Sequence, residues 1–184
     1  FAPRFSPDGE RLAMSFSYKG NTSLFEMNLK TLKIKRLTFD PVIDTSPSYA
    51  PDGSEIVFAS DRSGQTQLYV MNASGGSAKR ISFGSGSYRT PVWSPRGDLI
   101  AFTKIWQGKF YIGLMRTDGS GERLITSGYL VEGPSWSPNG RVILYTRDDR
   151  RGAPHLYAID ITGYNERLLP TPTSAIQGTW SNKR

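Results

Sequence analysis

The sequence predicts an all-β fold, a partial β-propeller, and three observations lead to this prediction. A proline-containing turn recurs about every 44 residues, other motifs keep the same interval, and each interval has room for four short strands. The 184 residues include 19 Gly and 12 Pro, which break long helices, and 37% are hydrophobic, which is enough for a packed core. Many short strands and little helix are therefore expected.

The recurring turn has the pattern aromatic-x-Pro-x-Gly. Its prolines at positions 7, 51, 95 and 138 are 44, 44 and 43 residues apart, and a fifth copy begins at position 180. Proline at the second position of a type I turn already has the required φ, and glycine suits the position that closes the turn. We expect the aromatic residues to lie on the innermost strands and to pack between adjacent blades. These residues are Phe5, Tyr49, Trp93, Trp136 and Trp180.

Two more motifs recur in register with the turn. An apolar segment at residues 24–28 returns at 68–72, 112–116 and 156–160, and an Arg-apolar pair at 36–37 returns at 80–81, 123–124 and 167–168. In the second interval, strands are expected near residues 47–50, 55–60, 67–72 and 79–82. Four strands in about 44 residues are typical of a propeller blade. The sequence thus predicts four complete four-stranded blades at residues 1–44, 45–88, 89–131 and 132–175, followed by a closing inner strand at 176–184.

The sequence lacks the residues and motifs on which most enzyme mechanisms depend. There is no cysteine and a single histidine, His155, so thiolate zinc sites and cysteine nucleophiles are excluded. The Gly-x-Ser-x-Gly nucleophile elbow, the Gly-x-x-x-x-Gly-Lys phosphate loop and the His-Glu-x-x-His pair are all missing. We therefore expect no catalytic residue, no metal ligand and no cofactor.

The distribution of charges argues against nucleic acid as a partner, and the length of the apolar runs argues against a membrane. The 23 Lys and Arg against 16 Asp and Glu give a net charge of +7, but the basic residues are spread along the chain with acids between them. No apolar run approaches the roughly 18 residues of a membrane-spanning helix. We expect no nucleic-acid partner and no direct membrane insertion.

The motifs carry a resemblance to a known family. The Trp-Ser-Pro-x-Gly turn, the following strand at residues 99–103, and the segments at 60–64, 68–71 and 80–82 resemble the TolB-type propeller repeat over essentially the whole chain. The resemblance implies a six-bladed ring behind an amino-terminal α/β domain, of which this chain would hold four blades and the closing strand. It also implies a non-enzymatic periplasmic scaffold of the Tol-Pal system, which serves envelope integrity and cell division.

The resemblance also implies a partner and a binding face. Members of the family hold the peptidoglycan-associated lipoprotein Pal at the mouth of the central channel, and meet other Tol proteins through the amino-terminal region. The matching loops enter the inner strands here, and their mixture of charges, hydroxyls and one Tyr suits a polar, specific interface. The expected partner-binding residues are Ala2, Asp44, Thr45, Ser46, Tyr88, Arg89, Thr90, Val131, Glu132 and Gly133.

Two charged tips are expected farther out on the same face, at residues 61–62 and 147–151. An Asp-Arg pair at such a tip is either a local turn lock, a weak exposed ion pair or a direct partner contact. We also expect the open propeller to self-associate, or another chain to fill the gap, because four blades of a six-bladed ring leave the first and last blades with uncovered apolar faces.

The alternative is a propeller that gates the catalytic domain of a prolyl-oligopeptidase-type peptidase, since those propellers use related Pro-Asp-Gly repeats. An α/β-hydrolase domain following the propeller in the chain would favour the peptidase. A chain that stops just after Trp180 favours the Tol-Pal scaffold.

Overall fold

The computed structural model describes residues 2–18, 20–148 and 153–180, which form sixteen β-strands. Strands β1–β4 are Arg4–Phe5, Arg11–Tyr18, Asn21–Asn28 and Ile34–Arg36. Strands β5–β8 are Asp44–Tyr49, Glu55–Ser63, Gln65–Asn72 and Lys79–Arg80. Strands β9–β12 are Ser87–Trp93, Leu99–Trp106, Lys109–Arg116 and Arg123–Gly128. Strands β13–β16 are Leu130–Trp136, Val142–Asp148, His155–Asp160 and Arg167–Leu168.

Each set of four consecutive strands forms one sheet with the strands in chain order. The predicted all-β class with four four-stranded blades is thereby confirmed. The inner strands β5, β9 and β13 begin at Asp44, Ser87 and Leu130, one or two residues before the blade starts expected from the repeat. The six-bladed ring stays a prediction. Among the described residues there is no helix with the length and apolar character needed to cross a bilayer.

The Pro-x-Gly turns form as the sequence predicts. In each, the glycine amide donates to the carbonyl of the residue before the proline, as Gly53 does to Ala50 at 2.9 Å and Gly140 to Ser137 at 2.8 Å. Both glycines have φ near +70°, at +74° and +65°, a region that only glycine enters readily. The turns therefore fix the register of the first two strands in each blade.

The chain divides after Trp93 into two compact units. In the first unit, a core of buried apolar side chains joins strands β2 and β3 to strands β5, β6 and β7. It consists of Ala13, Leu24, Leu37, Tyr49, Ile56, Phe58, Tyr69, Met71 and Ala73. Tyr49 and Trp93 are buried as expected for inner-strand aromatics, whereas Phe5 is 67% exposed because no described part of the chain packs over its ring.

In the second unit, β10–β12 and β13–β16 pair antiparallel, and Trp136 of β13 is buried. The expected closing strand is not a strand over its described part, residues 176–180, because no strand in the described chain forms a ladder with it. Its Trp180 still donates from Nε1 to the carbonyl of Ser135 at 3.3 Å. The remaining positions of that segment, 181–184, lie outside the described residues.

Candidate partner-binding face

The strand order places two kinds of connection at opposite edges of each blade. The segment that enters the inner strand and the hairpin between the second and third strands share one edge, here called the entry edge. The Pro-x-Gly turns lie at the other, here called the turn edge. All the partner-binding residues expected from the sequence fall where inner strands begin, and so at the entry edge.

Asp44, at the start of β5, is fully buried and bound within its own blade. Arg62 donates from Nη2 to both carboxylate oxygens of Asp44, at 3.1 and 3.2 Å. The Arg62 guanidinium also lies 4.9 Å from the centroid of the Tyr69 ring and 3.4 Å from Asp40. Asp44 therefore anchors the entry segment, and the neighbouring half-buried residues Thr45 and Ser46 are the ones that reach the surface.

The first charged tip, residues 61–62, is described in full, and the second, residues 147–151, is described only at positions 147 and 148. Asp61 accepts a hydrogen bond from the amide of Ile43 at 2.8 Å, so Asp61 and Arg62 together hold the segment before β5 as a local lock. At the second tip, Arg147 donates to Glu166 at 2.9 Å. The other residues of that tip from position 149 onward lie outside the described chain.

At the start of β9, three neighbouring residues have three different environments. Tyr88 is fully buried, Arg89 is exposed, and Thr90 is half-buried. The preceding loop is held by buried Gln67, which donates to the carbonyl of Gly86 at 3.1 Å. No described group pairs with the Arg89 guanidinium. Arg89 is thus a cation on a fixed backbone, available to another molecule.

The start of β13 repeats this alternation in the second unit. Val131 is fully buried, Glu132 is exposed, and Gly133 is half-buried. The amide of Gly133 donates to Oγ1 of Thr103 at 3.3 Å. Exposed charges thus stand beside buried anchors in both units, and Ala2, half-buried, holds the corresponding place before β1.

A left-handed residue stands at the same repeat position throughout the chain. It has a φ between 44° and 66°, and a register shift at this position interrupts the pairing of β5 and of β13. For a β-branched residue such as Thr90 this conformation is an outlier that costs on the order of 1–3 kcal/mol. Such strain concentrates at functional sites. The residues are Ala2, Ser46, Thr90, Gly133 and Gln177.

Sequence reasoning missed the apolar part of this edge. Phe39 and Phe83 are 72% and 73% exposed, and Ile43 is 49% exposed, all in the segments that enter β5 and β9. The signal was present, since both phenylalanines stand three residues after the repeated arginine. The entry edge of the first unit is therefore aromatic as well as polar.

Carboxylates at the turn edge are used by the turns themselves. A hydrogen bond from Ser6 and another from the Glu10 amide lower the pKa of Asp8. Hydrogen bonds from the amide and hydroxyl of Ser54 likewise lower the pKa of Asp52. These two acceptors are therefore satisfied within their own turns.

The described residues contain no group of three or more His, Asp or Glu side chains placed to hold a metal ion. His155 is half-buried at the start of β15, where it pairs in register with Arg147.

Comparison with known proteins assigns the family. The family model described as the TolB beta propeller domain matches residues 1–184. A Tol-Pal system protein TolB from Zymomonas mobilis is 56% identical over 72 residues, which are 39% of this chain and 16% of that protein. The crystal structure of TolB from Acinetobacter baumannii superimposes with a TM-score of 0.90 at 31% identity, covering 99% of this chain and 46% of that one. The chain therefore spans less than half the length of these proteins.

Propellers of enzymes share the fold at lower identity. A structure of prolyl endopeptidases matches 95% of the chain with a TM-score of 0.65 and 15% identity. At that identity the likeness extends to the fold alone.

Proposed function

Because the chain belongs to the TolB β-propeller family, we propose that it is a non-enzymatic, periplasmic protein-binding scaffold of the Tol-Pal system. Two similarities support the proposal: a curated relative that bears the Tol-Pal name and a TolB crystal structure that matches nearly the whole chain. The missing catalytic motifs agree with a role in binding. Other Tol proteins would be met through parts of the protein beyond this chain.

We further propose that the entry edge binds the lipoprotein Pal. The observation that carries this proposal is the exposed guanidinium of Arg89, which pairs with no described group and stands between buried Tyr88 and the left-handed backbone of Thr90. Because the loop before Arg89 is held in place, only the arginine side chain has to be ordered when it meets a carboxylate, which limits the entropic cost of binding. Glu132, exposed at the equivalent strand start in the second unit, is the expected acidic contact. Buried Asp44 and the buried side chains at the two strand starts would act by holding these residues in place.

Titration calorimetry with a Pal domain tests the proposal. Arg89→Ala should weaken binding by about 2 to 5 kcal/mol if the guanidinium is desolvated in the complex. Thr45→Ala and Glu132→Ala should have smaller effects. Arg96→Ala is the matched control, because Arg96 is an exposed arginine of a Pro-x-Gly turn at the turn edge. Unchanged binding by a folded variant that combines Arg89→Ala, Thr45→Ala and Glu132→Ala would place the interface elsewhere.

The alternative, a propeller that gates a peptidase, has support from the fold alone, since the matching endopeptidase structures are 15% identical. The expected self-association is a separate proposal, and light scattering at tens of micromolar protein would check it.

A further inference from the structure

Two exposed phenylalanines of the first unit repeat one local geometry. Phe39 follows β4 and Phe83 follows β8, and they are 72% and 73% exposed. They occupy the same repeat position, 44 residues apart. Single exposed apolar side chains are ordinary in folded proteins, but the same aromatic ring left bare at equivalent places in successive blades is a repeated surface feature.

An arginine stacks on each ring. The Arg36 guanidinium lies 5.1 Å from the Phe39 centroid, and the Arg80 guanidinium lies 5.0 Å from the Phe83 centroid. The backbone fixes both arginines in the same way, because Arg36 Nε donates to the carbonyl of Thr38 at 2.7 Å and Arg80 Nε to that of Ser82 at 2.6 Å. Each ring is thus covered on one side by a cation whose position is set before any partner arrives.

The charge of these arginines is not neutralised within the described chain. The remaining hydrogen bond of Arg36 is to the hydroxyl of Ser23 at 2.9 Å, and Arg80 has no other described partner. No described carboxylate lies within ion-pair distance of either guanidinium. Arginine matches a carboxylate in a planar, two-bonded geometry, so a carboxylate beside an apolar side chain would satisfy both halves of each pair.

We propose that these two pairs form a second contact surface that binds an acidic segment of a partner protein carrying apolar side chains among its carboxylates. This surface, the Arg–Phe ledge, consists of Arg36, Phe39, Arg80 and Phe83. It shares the entry edge of the first unit with inner-strand residues proposed above but includes none of them, and it does not depend on the identity of the partner that they bind. Each carboxylate pairs with a guanidinium, and an apolar side chain covers the bare face of the adjacent ring.

The last two blades lack this surface. Arg123 and Arg167 occupy the same repeat position as the two ledge arginines, but Thr126 and Pro170 stand where the phenylalanines would be. Arg167 lies instead 4.0 Å from Asp160. Arg123 and Arg167 can therefore serve as control arginines, because they occupy the same repeat position but have no phenylalanine three residues later.

The test titrates the full chain with the capped peptide Glu-Glu-Leu-Phe-Glu-Glu and follows backbone amide shifts by NMR. Shifts should concentrate at residues 36–39 and 80–83, and the same peptide with glutamine for glutamate should bind at least about tenfold more weakly. Phe39→Ser with Phe83→Ser should weaken peptide binding about five- to tenfold, because exposed rings add binding area but no core packing. Arg36→Lys with Arg80→Lys, which keeps the charge and loses the stack, should weaken it several-fold.

The control variant Arg123→Gln with Arg167→Gln should bind the peptide as the unchanged chain does. Unchanged binding by the folded Phe39→Ser, Phe83→Ser variant would overturn the proposal. It would also be overturned if a six-nucleotide oligothymidylate or phosphatidylglycerol vesicles bound at these residues more tightly than the peptide. Since this titration contains no Pal domain, its failure would leave the entry-edge proposal standing, and the reverse also holds.

Discussion

Gly113 lies directly against the ring of Phe102. A Cβ placed on Gly113 would be 2.4 Å from two atoms of that ring, far inside contact distance, and 3.1 Å from Leu124. The other three blades have Phe25, Tyr69 and Tyr157 at this repeat position. In the third blade, the ring of the second strand thus takes the space that an aromatic side chain of the third strand occupies elsewhere.

We predict that Gly113→Ala lowers the free energy of unfolding by about 1 to 3 kcal/mol through overpacking. Backbone strain is not the cause, because Gly113 is not among the positive-φ glycines. Urea unfolding measures the effect. Adding Phe102→Leu should make the double variant more stable than the sum of the single changes, by about 1 kcal/mol. If the stability changes of Gly113→Ala and Phe102→Leu simply add, the Phe102 ring moves aside to make room for the new Cβ.

A hydroxyl of the second strand secures a left-handed residue in the second unit. Thr146, which is buried, accepts at Oγ1 from the amide of Gln177 at 3.0 Å, where the φ of Gln177 is 52°. Thr146→Val keeps the shape and removes the acceptor, so we predict a loss of about 1 kcal/mol of stability and faster amide exchange at Gln177. Thr146→Ser should restore slow exchange. Equal exchange rates in the Val and Ser variants would contradict this role.

The repeat made the blades predictable because its signals are local. Proline and glycine at 51 and 53 define a turn, and alternation then defines the strands on either side. The left-handed conformation of Thr90 was not predictable, since a β-branched residue before a proline favours the extended region. The burial of Asp44 was not predictable from the local sequence either, because it depends on Arg62, which is 18 residues away and lies over the ring of Tyr69.

The two carboxylates that meet Arg62 should differ in their effect on stability. Asp44 is fully buried, whereas the Asp40 side chain is 61% exposed. We predict that Asp44→Asn costs about 2 to 3 kcal/mol, since it leaves exposed Asp40 as the one described carboxylate partner of a partly buried guanidinium. Asp40→Asn, the matched control, should cost less than about 0.5 kcal/mol. Equal effects in thermal or urea unfolding would show that Arg62 does not distinguish the two.

Glu166 gives the stability of the second unit a dependence on pH. It accepts hydrogen bonds from Thr126 at 2.6 Å, from the Tyr145 hydroxyl and from Arg147 at 2.9 Å. Partial burial by itself would raise the pKa of Glu166, but these donors and the Arg147 charge outweigh it and lower the pKa below its usual value of 4.5. The folded state therefore binds fewer protons than the unfolded state between the two pKa values.

A carboxyl with a lowered folded pKa stabilises the protein above its unfolded pKa, and this contribution is lost as the pH falls through the folded pKa. We predict that Glu166→Gln lowers the free energy of unfolding at pH 7 and that the difference from the unchanged chain shrinks steadily below pH 4.5. Urea unfolding at several pH values measures it, with Glu55→Gln, at an exposed position, as the control. A Glu166→Gln difference of the same size at neutral and acid pH would mean that the loss comes from altered packing, because only the carboxylate charge can titrate away.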